Sequence, residues 1–171
     1  GKINEINYTV LDSERYLALF LTPLLVFILA FTEEITLHLL GEEYLSIVPI
    51  FQVLALVEYL VAINTPYSTK LVSTGFVNYV FVVSLFFYVP HILLNFIFIP
   101  TSILGYNMVG LGALGAGIAR LISVVMGIIS SRYYNYKTTN LFFNINILIY
   151  FFAGVIMHLV LTSFDITSNI I

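Results

Sequence analysis

Five long apolar segments constrain the fold of this chain more than any other feature of its sequence. They cover residues 16–32, 44–64, 79–100, 109–131 and 141–164, and each contains 17 to 24 residues. About 20 residues of α-helix cross a hydrocarbon layer of roughly 30 Å, whereas the strands of membrane β-barrels are about half as long and alternate apolar with polar residues. Because lipid offers backbone groups no hydrogen-bond partner, we predict an all-α, polytopic helical membrane protein with about five transmembrane helices.

The composition supports a membrane protein and excludes several other classes. Hydrophobic residues make up 60% of the chain, charged residues 9%, and the mean hydropathy is +1.04, which is beyond what a soluble domain of this length needs. The absence of cysteine excludes disulfides and thiolate metal sites. A net charge of −3 without any basic run indicates no nucleic-acid partner.

The polar stretches that flank the apolar segments alternate between basic and non-basic along the chain. The first gap contains four glutamates and no basic residue, and the third contains no charge, whereas the other polar stretches carry the basic residues Lys2, Arg15, Lys70, Arg132 and Lys137. This is the positive-inside pattern of a multi-pass protein with a cytoplasmic N-terminus. We therefore predict a protein of the cell membrane, with residues 1–15 as a cytoplasmic polar segment and residues 165–171 as an outer tail.

The chain has features of a piece of a larger protein. It begins with Gly1 rather than Met, and its polar start leads directly into an apolar segment. An odd number of spans would leave its C-terminus outside. We expect the remaining helices of a larger transporter, and the lipid bilayer, to be its partners.

The fourth segment opens with a run of small residues. Residues 110–115 match the G-x-G-x-x-G pattern, but a dinucleotide site also needs a preceding strand and an acidic residue about 20 positions later, and neither is present. The favoured interpretation is small-xxx-small helix packing by the pairs Gly112 with Ala116, Ala113 with Gly117, and Gly115 with Ala119. Prolines within the first three segments predict kinks there, at Pro23, Pro49 and Pro90.

Four ionisable residues fall inside the apolar segments. By helix rise, Glu58, His91 and Arg120 share a belt near the middle of the membrane, where a charge should face protein or water rather than lipid. One interpretation is that Arg120 and Glu58 form an ion pair that only fixes packing. The functional one is that Arg120 lines a polar cavity and contacts an anionic group of a substrate, with Glu58 orienting it; we predict Arg120, Glu58 and His91 as substrate-binding residues. His158 is predicted to be interfacial.

No set of catalytic residues emerges, so an enzyme is not predicted, and no cofactor is expected. Metal binding by Glu33, Glu34 and His38 is conceivable, because positions 34 and 38 share a helical face. A solvated helical face is the favoured interpretation of these residues.

Several short motifs, in order, resemble those of prokaryotic polysaccharide flippases. They occupy residues 40–44 (LGEEY), 48–50 (VPI), 54–56 (LAL), 94–100 (LNFIFIP) and 110–119 (GLGALGAGIA). These proteins belong to the superfamily of the multidrug and toxic compound extruders and the lipid II flippase, and the chain resembles part of the C-terminal lobe of their two-lobed fold. Two departures are the spacer from Thr101 to Val109 and Arg120, which stands where the family usually has a small polar residue.

The resemblance implies flipping of a lipid-linked oligosaccharide or polysaccharide precursor by alternating access. A basic cavity suits this function, because the lipid-linked cargo carries a diphosphate. Two alternatives stay open from the sequence: a non-transporting membrane module that assists glycan-assembly complexes, and a cation-coupled antiporter similar to the drug extruders. An antiporter would need intramembrane carboxylates, and Glu58 is the one available in the apolar segments.

Overall fold

The computed structural model describes residues 2–141, 144–145 and 147–168, with side chains up to residue 163. Six α-helices account for most of this part of the chain: α1 (Lys2–Ala30), α2 (Thr32–Leu39), α3 (Val48–Ser73), α4 (Val77–Phe98), α5 (Gly112–Thr139) and α6 (Ile147–Ser168). A 3-10 helix, Glu42–Ile47, precedes α3. A short hairpin of β1 (Ser102–Ile103) and β2 (Tyr106–Asn107) joins α4 to α5.

Four of these helices, α1, α3, α4 and α5, are long and apolar enough to cross a membrane. The part of α6 whose side chains are described, Ile147–Ser163, is apolar but shorter. Large apolar side chains point outwards along the spans, as at Phe20, Phe81 and Phe96, each more than 60% exposed in the isolated chain. The prediction of an all-α, polytopic membrane protein is confirmed.

The helices extend further than the apolar segments. Residues 2–15 form the first half of α1 rather than a separate polar segment, and α3 continues to Ser73 instead of ending at Asn64. Helix α5 runs on to Thr139, where Asn140 ends it in a left-handed conformation (φ 52°). These extensions contain polar residues, and many of the polar side chains form hydrogen bonds between helices. The predicted fifth segment begins at residue 141, whereas α6 begins at Ile147; residues 142, 143, 146 and 169–171 lie outside the described part.

Helix α3 packs between α1 and α5, with α4 on the far side of α5 and α6 against α1. The small residues of α5 make the close approaches possible. A side chain at Gly115 would meet the backbone oxygen of Phe98 in α4 at 2.5 Å, and one at Gly117 would meet Val53 of α3 at 3.3 Å. Packing through small residues is therefore confirmed for Gly115, Gly117 and Ala119, all buried. It is wrong for Gly112 and Ala113, since Gly112 begins the helix with φ +56° and no neighbour within 4 Å, and Ala113 is exposed.

Three prolines lie inside helices, at Pro23 in α1, Pro66 in α3 and Pro90 in α4. The expectation of an internal proline at position 49 is wrong, because Pro49 lies in the first turn of α3, where a helix tolerates a missing N–H. Pro66 was not among the prolines predicted to kink a helix. The turn of the hairpin uses Leu104 (φ 50°) and Gly105 (φ 85°), the two positive φ angles that a two-residue turn of type I′ requires.

Candidate functional site

A cavity of about 230 Å³ lies between α3, α4 and α5, and Arg120 forms part of its wall. We call it the Arg120 cavity. Five further residues of its lining carry hydroxyl or amide groups on aliphatic stems, and the whole lining consists of Val61, Asn64, Thr65, Ser68, Thr69, Ser84, Phe87, Tyr88 and Arg120. The α3 residues recur at intervals of three and four, so they share one face of that helix.

The polar groups of this wall are only partly used by the protein itself. The Asn64 Nδ2 donates to Ser68 Oγ at 3.3 Å, while the Thr65 and Ser84 hydroxyls donate to carbonyls one turn earlier in their own helices. The Asn64 Oδ1 is buried and has no hydrogen-bond partner in the described part of the chain. The wall therefore offers hydrogen-bonding groups and one guanidinium, which suits a ligand that is both anionic and rich in hydroxyls.

Of the three predicted site residues, Arg120 lines this cavity. His91 lies on α4, one of the helices that enclose the cavity, but it is not part of the lining. Glu58 is elsewhere: it is exposed in the isolated chain and lines a separate cavity between α1 and α3, with Leu21 and Ile28. The hypothesis of an Arg120–Glu58 ion pair is wrong, because α3 presents Glu58 to α1 and not to the cavity that holds Arg120.

A second cluster of charged residues joins α1, α3 and α5, and we call it the Glu14 cluster. Glu14 is fully buried, and Arg132 Nη2 donates to its Oε1 at 2.5 Å. The Tyr67 hydroxyl donates to the other carboxylate oxygen at 2.6 Å. The Arg132 guanidinium also lies 3.3 Å from the centre of the Tyr67 ring, a cation–π contact. The pair of Glu14 with Arg132 is the one ion pair among the residues that the structure describes.

Further buried polar groups extend the Glu14 cluster towards the end of α5. Lys70 Nζ donates to Thr139 Oγ1, and Asn135 Nδ2 donates to the Tyr67 carbonyl oxygen at 3.2 Å. Asn7 Nδ2 of α1 donates to the Thr139 carbonyl oxygen at 3.1 Å. Lys70 lies in the last turn of α3 and is only 2% exposed, and its contact with Thr139 joins α3 to α5.

The Glu14 cluster was not predicted from the sequence. Glu14 fell within the predicted polar N-terminal segment, and Arg132 was interpreted only as a topological charge. A signal was present: Glu14 shares a strict four-residue spacing with Val10, Ala18, Thr22 and Val26, which form the buried face of α1. Thr22 on this face hydrogen-bonds with the Tyr59 hydroxyl of α3 at 2.9 Å.

The other candidates from the sequence are not part of either site. His158 is partly buried in the wall of a crevice formed with α1 and α3. Glu34 and His38 lie on the short helix α2, where His38 Nδ1 donates a hydrogen bond to the Glu34 carbonyl oxygen at 2.8 Å. Within the described ranges, no group of three or more histidine, cysteine or acidic residues could hold a metal ion.

Comparisons with known proteins do not identify a family. No protein-family model matches the chain, and neither does any curated protein or solved structure. The class that the fold defines is an α-helical multi-pass membrane protein, and any narrower function rests on the site and on the sequence motifs.

Proposed function

We propose that this chain is part of a membrane flippase or exporter that moves lipid-linked oligosaccharide or polysaccharide precursors across the cell membrane. The observation that carries the proposal is the Arg120 cavity, a polar cavity with one guanidinium between three membrane-spanning helices. A lipid-linked glycan presents a diphosphate and many hydroxyls, and these match a cation surrounded by hydroxyl and amide groups. The motifs that resemble polysaccharide flippases give the proposal its substrate class.

Arg120 is available for such a ligand because no carboxylate of the described chain forms an ion pair with it. A charge within a membrane is costly unless it faces water or a partner. A bidentate contact of the guanidinium with a phosphate group would satisfy that requirement during each transport cycle.

A cation-coupled antiporter is less well supported. Such a protein needs an intramembrane carboxylate that can take up a proton or a sodium ion. Both oxygens of the Glu14 carboxylate already accept hydrogen bonds, from Arg132 and Tyr67. In the apolar part of the described spans, Glu58 is then the one carboxylate that could take up the ion, and it lies outside the Arg120 cavity.

The test compares surface glycan with folded protein for variants of the intact transporter. Arg120→Met should leave the amount of folded protein in membranes unchanged and abolish delivery of glycan to the outer surface. Arg120→Lys should keep part of the activity, because it keeps the charge and loses the planar fork. The matched control is Ile122→Met on the same helix, a side chain 37% exposed that does not line the cavity. Undiminished surface glycan with Arg120→Met would overturn the proposal.

A further inference from the structure

A groove of about 330 Å³ runs between α1 and α3 at the surface of the helical bundle, and Glu58 lies in it. We call it the Glu58 groove. Helix α1 contributes four aliphatic side chains to its lining, and α3 contributes Ala55, Glu58, Tyr59 and Ala62. The Glu58 groove is separate from the Arg120 cavity, because the two share no lining residue.

Glu58 lies deep in the membrane-spanning part of α3. At about 1.5 Å per residue, it is about 15 Å from the beginning of the helix at Val48 and about 22 Å from its end at Ser73. In a hydrocarbon layer of roughly 30 Å, this position is within the apolar region and not at the headgroup level. Carboxylates at such a depth are costly against lipid and almost always face protein or water.

The Glu58 carboxylate has no partner among the residues that the structure describes. Its side chain is exposed and forms no ion pair or hydrogen bond there. The Tyr59 hydroxyl in the same groove is already paired with the Thr22 hydroxyl at 2.9 Å. Glu14 is different, because both of its oxygens accept hydrogen bonds within the bundle. A group outside the described helices must therefore satisfy Glu58 when the chain lies in a membrane.

Neither a metal cation nor an acyl chain would satisfy this groove. Calcium takes about six to eight oxygen ligands and magnesium needs an octahedral set, whereas the groove offers one carboxylate and one hydroxyl that is already paired. An acyl chain would match the aliphatic wall of α1 and leave the carboxylate against hydrocarbon. The occupant must therefore supply both an apolar surface and a positive charge.

The shape of the groove suits a helix. Ala55 and Ala62 lie about one turn before and one turn after Glu58, on the same face of α3. Small residues at such positions allow another helix to approach closely within a membrane. From Ala55 to Ala62 the groove extends about 10 Å along α3, which is about two helical turns. A third helix could therefore pack there against two successive layers of side chains.

We propose that the Glu58 groove is the docking surface for a further membrane-spanning helix, one that brings a lysine or arginine side chain to Glu58. A basic side chain supplies the charge-assisted hydrogen bond that an intramembrane carboxylate needs, and the helix that carries it covers the aliphatic wall. The inference does not rest on the proposed transport function. It assigns Glu58 to an interface between helices, on the opposite side of α3 from the Arg120 cavity.

The test is photocrosslinking of the intact protein in membranes, with an aliphatic diazirine amino acid placed at Leu24 in the groove. The matched control is Leu19 on the same helix, which is 49% exposed against 52% for Leu24 and does not line the groove. Leu24 should crosslink to a peptide, identified by mass spectrometry, that contains about 20 apolar residues with a lysine or arginine among them. Glu58→Leu should lower this yield, measured per folded protein, about five- to thirtyfold, the range of polar contacts between membrane helices.

A charge swap tests the contact itself. Glu58→Lys should abolish the crosslink from Leu24 and lower the amount of folded protein, because it places like charges against each other. Changing the basic residue of the crosslinked peptide to Glu should restore both. The control is Leu54→Lys, at a position that is 41% exposed and does not line the groove, and the second change should not rescue it.

Four results would each overturn the proposal. They are crosslinking of Leu24 to lipid alone, to the described helices of a second copy, or to a segment without a basic residue, and failure of the charge swap to restore the crosslink. None of these measurements involves Arg120 or surface glycan. The docking surface and the transport function can therefore fail independently.

Discussion

Two arginines on the same helix have opposite surroundings. Arg132 donates to a fully buried carboxylate and lies over an aromatic ring, whereas Arg120, twelve residues earlier, lines a polar cavity and has no carboxylate partner in the described chain. At about 1.5 Å per residue, the two positions are about 18 Å apart along α5. A cation in a membrane protein can thus be satisfied by its own fold or left to be satisfied by a ligand. The difference separates the residue that holds α1 and α5 together from the residue that we propose contacts cargo.

The largest expected effect is on the paired arginine. Arg132→Met removes the partner of Glu14 and leaves a carboxylate buried without compensation. Breaking a buried pair in this way typically costs about 3–5 kcal/mol. The measurement is the unfolding free energy in detergent, with Arg120→Met as the control on the same helix. Equal losses of unfolding free energy in Arg132→Met and Arg120→Met would contradict the distinction between the two arginines.

A smaller effect is expected from the hydroxyl that completes the Glu14 cluster. Tyr67→Phe removes the O–H that donates to Glu14 Oε2 and keeps the ring on which Arg132 lies. Loss of a hydrogen bond to a charged group costs about 1.5–3 kcal/mol. Tyr59→Phe, which removes the hydrogen bond with Thr22, is the matched control and should cost about 0.5–1.5 kcal/mol, because both partners there are neutral. A larger loss from Tyr59→Phe would contradict the account of the cluster.

The smallest effect on folding is expected from cysteines placed at the two ends of α5, one in the hairpin that precedes the helix and one in its last turn. Leu104 in the hairpin is 94% exposed, and Lys137 near the end of α5 is also exposed. In intact cells, an impermeant thiol reagent should label Leu104→Cys and not Lys137→Cys, because the positive-inside pattern predicts that the basic end of α5 lies in the cytoplasm. The reverse labelling would put Arg132 at the outer face and contradict the proposed orientation. Lys70 is unsuitable for this test, because its side chain is buried against Thr139.

Much of the fold could be predicted from the sequence, since hydropathy alone marks the spans and the small residues of α5 mark a packing face. The pairing of polar side chains between helices could not be predicted. Hydropathy treats Glu14 and Arg132 as polar residues that end a span, whereas in the structure each satisfies the other and the helices continue past them. A pairing between residues 118 positions apart leaves no local pattern in a single sequence.

Only part of the candidate site could be predicted from the sequence, namely Arg120 and not the residues around it. A lone arginine in an apolar segment must face something other than lipid, which is enough to identify Arg120. Its partners depend on how α3 is rotated about its axis, and this rotation turns Asn64 and Ser68 into the cavity while Glu58 lines the gap towards α1. Depth in the membrane, which the sequence does supply, could not distinguish these faces.

The most direct test of the central claim is a pair of double-mutant cycles on unfolding free energy, one for Glu14 with Arg132 and one for Glu58 with Arg120, each residue being changed to Met. We expect a coupling energy of about 1.5–3 kcal/mol for Glu14 with Arg132, since residues within one buried network couple strongly. For Glu58 with Arg120 we expect a coupling energy within about 0.5 kcal/mol of zero, as for residues that share no partner. A coupling of several kcal/mol between Glu58 and Arg120 would contradict the account, because it would make Arg120 a second structural arginine rather than one that faces a ligand.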